Sequence, residues 1–306
     1  MLDTHTLANR SSFPVQRLSK GGLVDQKDVP PILRGKHYTA GSAFTPESLL
    51  REARRQKELP DTPVPEVCIL DPDGDIVRYL RASGRARAFR EWACYHSEMF
   101  AFEERGRTFG IVSCAVGAAY AVLLAEQMFA SGCRLLISIT SSGQITALRV
   151  PPYFILIERA FRDEGTSYHY LPASDYVNAD VDLVAAVEAG LAEAGEPVER
   201  GSTWTTDAPF RETAEAIDAA RGDGILAVEM EAAALYAFAK ARQKNVLCFA
   251  HVTNQMGQAG DFEKGDANGA VASLALVRAV AERWLAYSVD GSHHGRDDEN
   301  SGNERS

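Results

Sequence analysis

Glu229 and Glu231 flank Met230 at the head of an alanine-rich stretch that leads, through a short apolar run, into Thr253-Asn254. An ionised carboxylate offers two acceptor oxygens, and an amide offers both donor and acceptor, so this set suits a polar ligand held by its hydroxyl and ring edges. Ala232, Ala233, Ala234, Leu235, Ala237 and Ala239 are strong helix formers, which starts a helix beside Glu231. Val246 to Val252 reads as a buried strand. Glu231 then sits at a helix N-terminus and Thr253-Asn254 just past the C-terminal end of a strand, where open α/β sheets bind small ligands. First-turn acids are also favoured by the helix dipole alone, and the residues by themselves leave both readings open.

The chain has 306 residues, 45% hydrophobic and 24% charged, an ordinary globular composition. That length suits one large α/β domain with extensions, or two smaller domains. A net charge of −10 argues against nucleic acid or an acidic membrane surface as partner, though not against an anionic substrate in a locally basic pocket. No run of about 18 apolar residues predicts a membrane span. The start, MLDTHTLANRSSF, lacks the charged-then-apolar pattern of a signal peptide, so a cytoplasmic protein is expected. Cys68, Cys94, Cys114, Cys133 and Cys248 are odd in number and form no CxxC pair, and read as reduced, buried thiols rather than disulfides or metal ligands.

Three segments follow from the patterning. Residues 1–64 form an extension with one helix, capped by Thr45 with Pro46 at its first position, running to about Glu58. Residues 65–288 alternate strands with helices, which predicts a sheet covered on both faces. Strands are expected at Val67–Leu70, Ala101-Phe102, Gly110–Ser113, Leu135–Ile139 and Phe154–Ile157. Helices are expected at Ile76–Ser83, Ala118–Ala130, Asp182–Ala194, Arg211–Ala220 and Ala270–Ala286. Residues 289–306 read as a polar, disordered tail.

VEMEAAALYAFA, followed by a strand ending in Thr-Asn, resembles the signature of the purine-nucleoside/uridine phosphorylase family. The resemblance recurs in order along residues 66–286. GIVSCAVGAAYAVLLAEQM is similar to the family's glycine turn and following helix, with Glu126 in the usual place. LLISITSSGQI is similar to its strand and phosphate loop. AFRDEGTSYHYLP resembles a segment frequent in bacterial and archaeal members, and TWTTDAPFRET resembles the wall over the base. The implied fold is α/β, three-layer α/β/α with a central mixed β-sheet. The implied activity is cleavage of a nucleoside's N-glycosidic bond with inorganic phosphate as co-substrate and no other cofactor, through an oxocarbenium-like transition state. A hydrolase of the same fold using water, and a catalytically weak nucleoside-binding relative, are the alternatives. The resemblance also implies a homo-oligomer: trimer, hexamer or dimer.

Residue by residue, the resemblance implies that Glu231 accepts hydrogen bonds from the ribose hydroxyls, with Glu229 beside it and Met230 on the sugar face. Val116-Gly117 form the glycine turn. Phe210 would stack on the base and Arg211 contact a base carbonyl, although plain packing and a solvated helix start remain open for them. His96 falls near where the family places a residue that reaches a neighbouring subunit's site, and equally reads as an ordinary surface residue. Asn254 stands where purine-specific relatives often carry an acid; an amide is no strong general acid. The Gln/Arg pair of uridine-specific relatives is absent after Phe210.

The acceptor half departs furthest from the family. Its first loop usually reads Gly-Asp-Pro with an arginine shortly after, but LDPDGDIVRYL puts Asp75 or Ile76 there. A second arginine usually precedes the phosphate loop, where Ser138 stands. Without two bidentate guanidinium groups, Thr140, Ser141, Ser142 and the amides near Gly143 are left to cradle an anion, with Arg78, Arg105 or Arg134 as substitutes from elsewhere. Asp71, Asp73 and Asp75 alternate as calcium loops do, yet no bidentate glutamate follows, so a strand-to-helix turn is the preferred reading.

Overall fold

The computed structural model describes residues 29–191, 197–256 and 262–294. The first 28 residues of the extension and residues 295–306 of the expected tail lie outside that range.

Among the described residues, ten strands form one mixed sheet: β1 (Val67–Asp71), β2 (Ala86–Ala88), β3 (Met99–Glu104), β4 (Arg107–Ser113), β5 (Leu135–Gln144), β6 (Tyr153–Asp163), β7 (Tyr176–Asn178), β8 (Val198–Thr206), β9 (Ile225–Glu229) and β10 (Asn245–Gln255). β1 is buried at every residue because it runs parallel between β4 and β5, with both faces covered. β3 and β4 form a hairpin whose turn residues, Arg105 and Gly106, both take positive φ (48° and 74°), the twist a two-residue hairpin turn requires. β5 has three neighbours. It pairs in parallel with β1 and β10, and its last residues, Gly143 and Gln144, pair antiparallel with β9. Since β10 also pairs with β6, β6 with β8 and β8 with β9, these five strands close into a ring from which β1, β4, β3 and β2 extend.

Among the described residues, seven α-helices flank the sheet: α1 (Pro46–Lys57), α2 (Asp75–Ala82), α3 (Ala118–Ala130), α4 (Val181–Leu191), α5 (Ala214–Gly222), α6 (Ala232–Arg242) and α7 (Ala270–His294). One group joins α3 to α6 and α1, and another joins α7 to α4 and α2. α6 is buried from Ala232 to Phe238, which small side chains permit where a helix lies close on a sheet. No described helix is long and apolar enough to cross a membrane.

The described part of the extension lies on its own chain. Thr45 caps α1 by accepting from Ser48 N (3.2 Å), and Leu50 and Ala53 pack with Ala93 against α3. All five cysteines are free; four are buried, and Cys114 is exposed, the one departure from the expected buried thiols.

Three boundaries differ from the patterning. The stretch Thr140–Gly143, read as a loop, is strand, because β10 and β9 supply ladder partners past Ile139. The helix expected from Arg211 is a single 3-10 turn, Pro209–Arg211, and α5 begins only after Thr213, whose hydroxyl accepts from Ala216 N (3.3 Å). α7 runs past Ala286 into the segment read as tail.

Candidate active site

β9 ends in Glu229 and α6 begins after Glu231, so two carboxylates stand at one strand-to-helix turn. Their surroundings give them different work. Glu229 is saturated. Its Oε2 accepts from Glu231 N and Ala232 N (2.7 Å each), and its Oε1 from the hydroxyls of Thr203 (3.1 Å) and Thr205 (2.5 Å). Thr205 Oγ1 also accepts from Ala233 N (3.0 Å), so three N–H donors at the start of α6 are met without the Glu231 side chain. Both Glu229 oxygens are thus engaged by the chain itself, two of the donors being backbone N–H groups at the start of α6.

Glu231 is left with capacity. It is 1% exposed, its Oε1 accepts from Gly117 N (2.7 Å), and its buried Oε2 has no hydrogen-bond partner among the described residues. Gly117 presents that N–H at φ +93°; a Cβ there would meet nothing within 4 Å, so conformation rather than space calls for glycine. Burial, and next the charge of Glu229, push the Glu231 carboxyl up to about 8, against the pull of the Gly117 N–H and the Thr140 side chain. A buried acceptor of this kind suits a ligand that brings hydroxyl donors.

The other residues singled out by sequence scatter more. Met230 is half-buried beside Glu231. Asn254 lies opposite Gly143 at the end of β10, past a register shift, and its Oδ1 accepts from Thr253 Oγ1 (3.3 Å). Val116, next to Gly117, is 52% exposed. Phe210 is 99% exposed and stacks on nothing described, and Arg211 beside it is also exposed. His96 is exposed, and its carbonyl accepts from Tyr120 OH (2.6 Å), tying its loop to α3. His251 is the core histidine expected: it stacks on Phe154 (4.6 Å between centroids), and burial pushes it down to about 4.

The acceptor half is rebuilt around carboxylates. Ser141 donates both its backbone N–H (3.2 Å) and its hydroxyl to Asp73 Oδ2. Lys264 Nζ lies 3.3 Å from the same oxygen and 2.6 Å from Asp75 Oδ2. Arg78 Nη2 donates to Asp75 Oδ1 (2.5 Å) and to the Asp73 carbonyl (2.9 Å). Asp71 accepts from Gly74 N (3.1 Å) and Val77 N (2.9 Å), the strand-to-helix turn expected, and burial pushes its carboxyl up to about 6. Burial also raises Asp75, but Lys264 and Arg78 outweigh it and hold that carboxyl below its ordinary value.

The expected cradle of Thr140, Ser141, Ser142 and Gly143 is thus not an open loop. Thr140 faces Glu231, Ser141 is taken by Asp73, the Ser142 hydroxyl is buried without a partner among the described residues, and a Cβ at Gly143 would overlap Met256 Sδ. Of the three substitute arginines only Arg78 reaches this loop; Arg105 pairs with Glu282 and Arg134 with Glu66. Lys264 escaped the sequence reading, since nothing in GDFEKGDANG signals a contact with a loop near residue 73. A separate cavity of about 670 Å³ lies between the extension and α3, lined among others by Tyr38, Gln127 and Tyr170 and by none of the residues around Glu231.

Comparison with known proteins places this arrangement. The uridine phosphorylase of Vibrio fischeri ES114 complexed with 6-hydroxy-1-naphthoic acid superposes with a TM-score of 0.60 at 19% identity, covering 76% of this chain and 93% of that one. A second structure of uridine phosphorylase from the same organism gives 0.59 at 18% identity, covering 75% and 94%. At that identity the likeness is one of fold. No curated protein matches the chain. A family model described as Phosphorylase superfamily matches residues 66–282, which span the sheet and both halves of the site. The chain belongs to the phosphorylase superfamily.

Proposed function

We propose that this protein cleaves the N-glycosidic bond of a purine or pyrimidine nucleoside, with water as the acceptor. The observation that carries the cleavage reading is Glu231: one oxygen anchored on Gly117 N–H, the other buried and, among the described residues, outside hydrogen-bonding geometry with any donor, although the Thr140 side chain faces it. Ribose hydroxyls supply such donors. Holding them fixes the sugar as the C1′–N bond lengthens and positive character grows on the ring. Asn254 offers an amide to a base edge and no strong acid, so the base leaves with assistance from hydrogen bonding rather than from a side-chain proton.

Water is favoured over phosphate by Asp73. The Ser141 N–H and hydroxyl, the groups left to cradle an anion, already serve a carboxylate of the protein. A phosphate entering there would meet the charges of Asp73 and Asp75. Phosphate, the default of the family, remains the second reading because Lys264 and Arg78 stand at the same loop and carry the charge that the missing arginines would have supplied. We further propose a homo-oligomer acting on a small nucleoside in the cytoplasm with no resident cofactor; the exposed Val116, next to Gly117, suits a subunit contact.

Chromatography of uridine, inosine, guanosine, adenosine and methylthioadenosine after incubation, with and without phosphate, tests both readings. Free base together with free ribose (or methylthioribose), at a rate unchanged by phosphate, is the expected result. A sugar 1-phosphate product would replace water by phosphate, and no base from any nucleoside would refute cleavage altogether.

A further inference from the structure

We propose that Lys264, on the connection between β10 and α7, is the positioning residue of the acceptor half, holding Asp73 on Ser141 so that the carboxylate's other oxygen can take the proton of the attacking water. The proposal rests on the hydrolytic reading above. Its basis is the way three donors converge on one atom. Ser141 N, Ser141 Oγ and Lys264 Nζ all approach Asp73 Oδ2, and Oδ1 takes none of these contacts. A carboxylate pinned through one oxygen has a fixed direction for the other, the preorganisation a general base needs.

Lys264 is itself held. Its Nζ bridges Asp73 and Asp75, and Asp75 is fixed from the far side by Arg78 at the start of α2. Burial lowers the Lys264 ammonium, yet its bonds to Asp75 and Asp73 outweigh that and hold it above its ordinary value, so it stays charged across the working range. The groups facing Asp73 are Asp71 and Asp75 from its own loop, Arg78 from α2, Ser141 from β5, His251 from β10, Lys264, and Glu231, which feels its charge. Lys264 is the cation among them in direct contact with the Asp73 carboxylate.

In the step itself the water oxygen forms a bond to C1′ as the C1′–N bond breaks. The electron pair of the broken bond departs with the base, which solvent then protonates, and one water proton passes to Asp73 Oδ1. Lys264 exchanges no proton in this step; it sets the direction and the charge of the group that does.

Two measurements separate this proposal from the reading it rests on. The first compares kcat, KM and the pH profile of nucleoside hydrolysis for Lys264→Met and Lys264→Arg. Lys264→Met is expected to lower kcat about tenfold or more, leave the nucleoside KM within about threefold, and move the acid limb of the kcat profile up by about one pH unit, since a lost neighbouring cation disfavours a charged carboxylate. Lys264→Arg restores the limb. An unchanged limb with unchanged kcat, or a loss confined to KM, overturns the proposal. The second measurement needs no turnover. Asp73→Asn removes the protein's own anion from Ser141 and Lys264, so calorimetry with inorganic phosphate should show binding at least about tenfold tighter than wild type, abolished again in the double variant Asp73→Asn/Lys264→Met. Phosphate binding that ignores both substitutions refutes the shared anion position even if the wild type hydrolyses no nucleoside. Conversely, the predicted pattern from a wild type without turnover would sink the hydrolytic reading and leave this geometry standing.

Discussion

The two halves of the candidate site meet on one strand and use carboxylates in opposite ways. Thr140 and Ser141 are neighbours near the end of β5. Thr140 faces Glu231, a buried carboxylate with one oxygen tied and the other open. Ser141 faces Asp73, whose Oδ2 already receives two donors from Ser141 and one from Lys264. The first half is short of donors and so selects a ligand that brings hydroxyls. The second has its donors engaged by an anion built into the chain. A fold can therefore keep its sugar grip while its acceptor chemistry is rewritten a single residue further along the strand.

The largest effect that tests this contrast comes from the two glutamates of the β9–α6 turn. Glu231→Gln is expected to lower kcat/KM for nucleoside cleavage by about 10- to 100-fold above pH 8, where the carboxylate is ionised and accepts as a charged group, while leaving urea stability unchanged or slightly raised. Glu229→Gln should do the reverse in stability. Four donors converge on Glu229, two of them backbone N–H groups of the helix start, and an amide in its place turns an NH₂ toward some of them. A loss of about 2–3 kcal/mol in unfolding free energy follows. If urea melts showed Glu231→Gln to be the more damaging of the two, the division into ligand-facing and structural carboxylate would be wrong.

This division explains how far the chain could be read from its residues. The alanine run after Glu231 and the apolar run to Val252 placed α6 and β10 correctly, because helix propensity and burial act locally. The family resemblance located Glu231. No local signal showed that Glu229 is engaged by Thr203 and Thr205, which lie on β8 and are neighbours only through the sheet. Thr140–Gly143 reads as loop in the sequence for a similar reason. Polar residues at a strand's end resemble a turn until a partner strand is known, and here β10 and β9 continue the ladder. Lys264 lay hidden for want of any local signal: its contact with Asp73 joins residues 191 apart in the chain.

A smaller effect separates the halves by pH. Burial raises Glu231 to about 8 and Asp71 to about 6, so in the folded chain both hold their protons at pH values where the unfolded chain has released them. Between the ordinary carboxylate range and these values the native state binds more protons, and stability falls as pH rises. The Asp71 contribution is spent near pH 6, whereas that of Glu231 continues to about 8. The difference in unfolding free energy between Glu231→Gln and wild type should therefore widen in favour of the variant from pH 6 to 8, as read by urea melts across that range. A flat difference would mean that Glu231 is ionised before any ligand arrives, and that the open oxygen is less costly than its burial implies. His251, pushed down to about 4, acts at the other end: stability is lost as pH falls below about 6.5, because the unfolded imidazole takes up a proton that the buried one resists.

The smallest effect belongs to Ser142, and it decides where the ligand-facing half stops. Ser142 follows Ser141 on β5. Its hydroxyl is buried, without a partner among the described residues, and its backbone lies opposite Val252 in the ladder. Removing an unsatisfied buried hydroxyl gives up no internal hydrogen bond, so Ser142→Ala should keep unfolding free energy within about 0.5 kcal/mol of wild type or raise it. Activity carries the information. If the ligand ends at Thr140 and Glu231, kcat/KM stays within about twofold, the result expected from a contact set in which Glu231 supplies the open acceptor. A fall of tenfold or more with stability intact would mean that the Ser142 hydroxyl finds its partner on the substrate, and the sugar half would then extend one further step along the strand that also carries Ser141 and its anion.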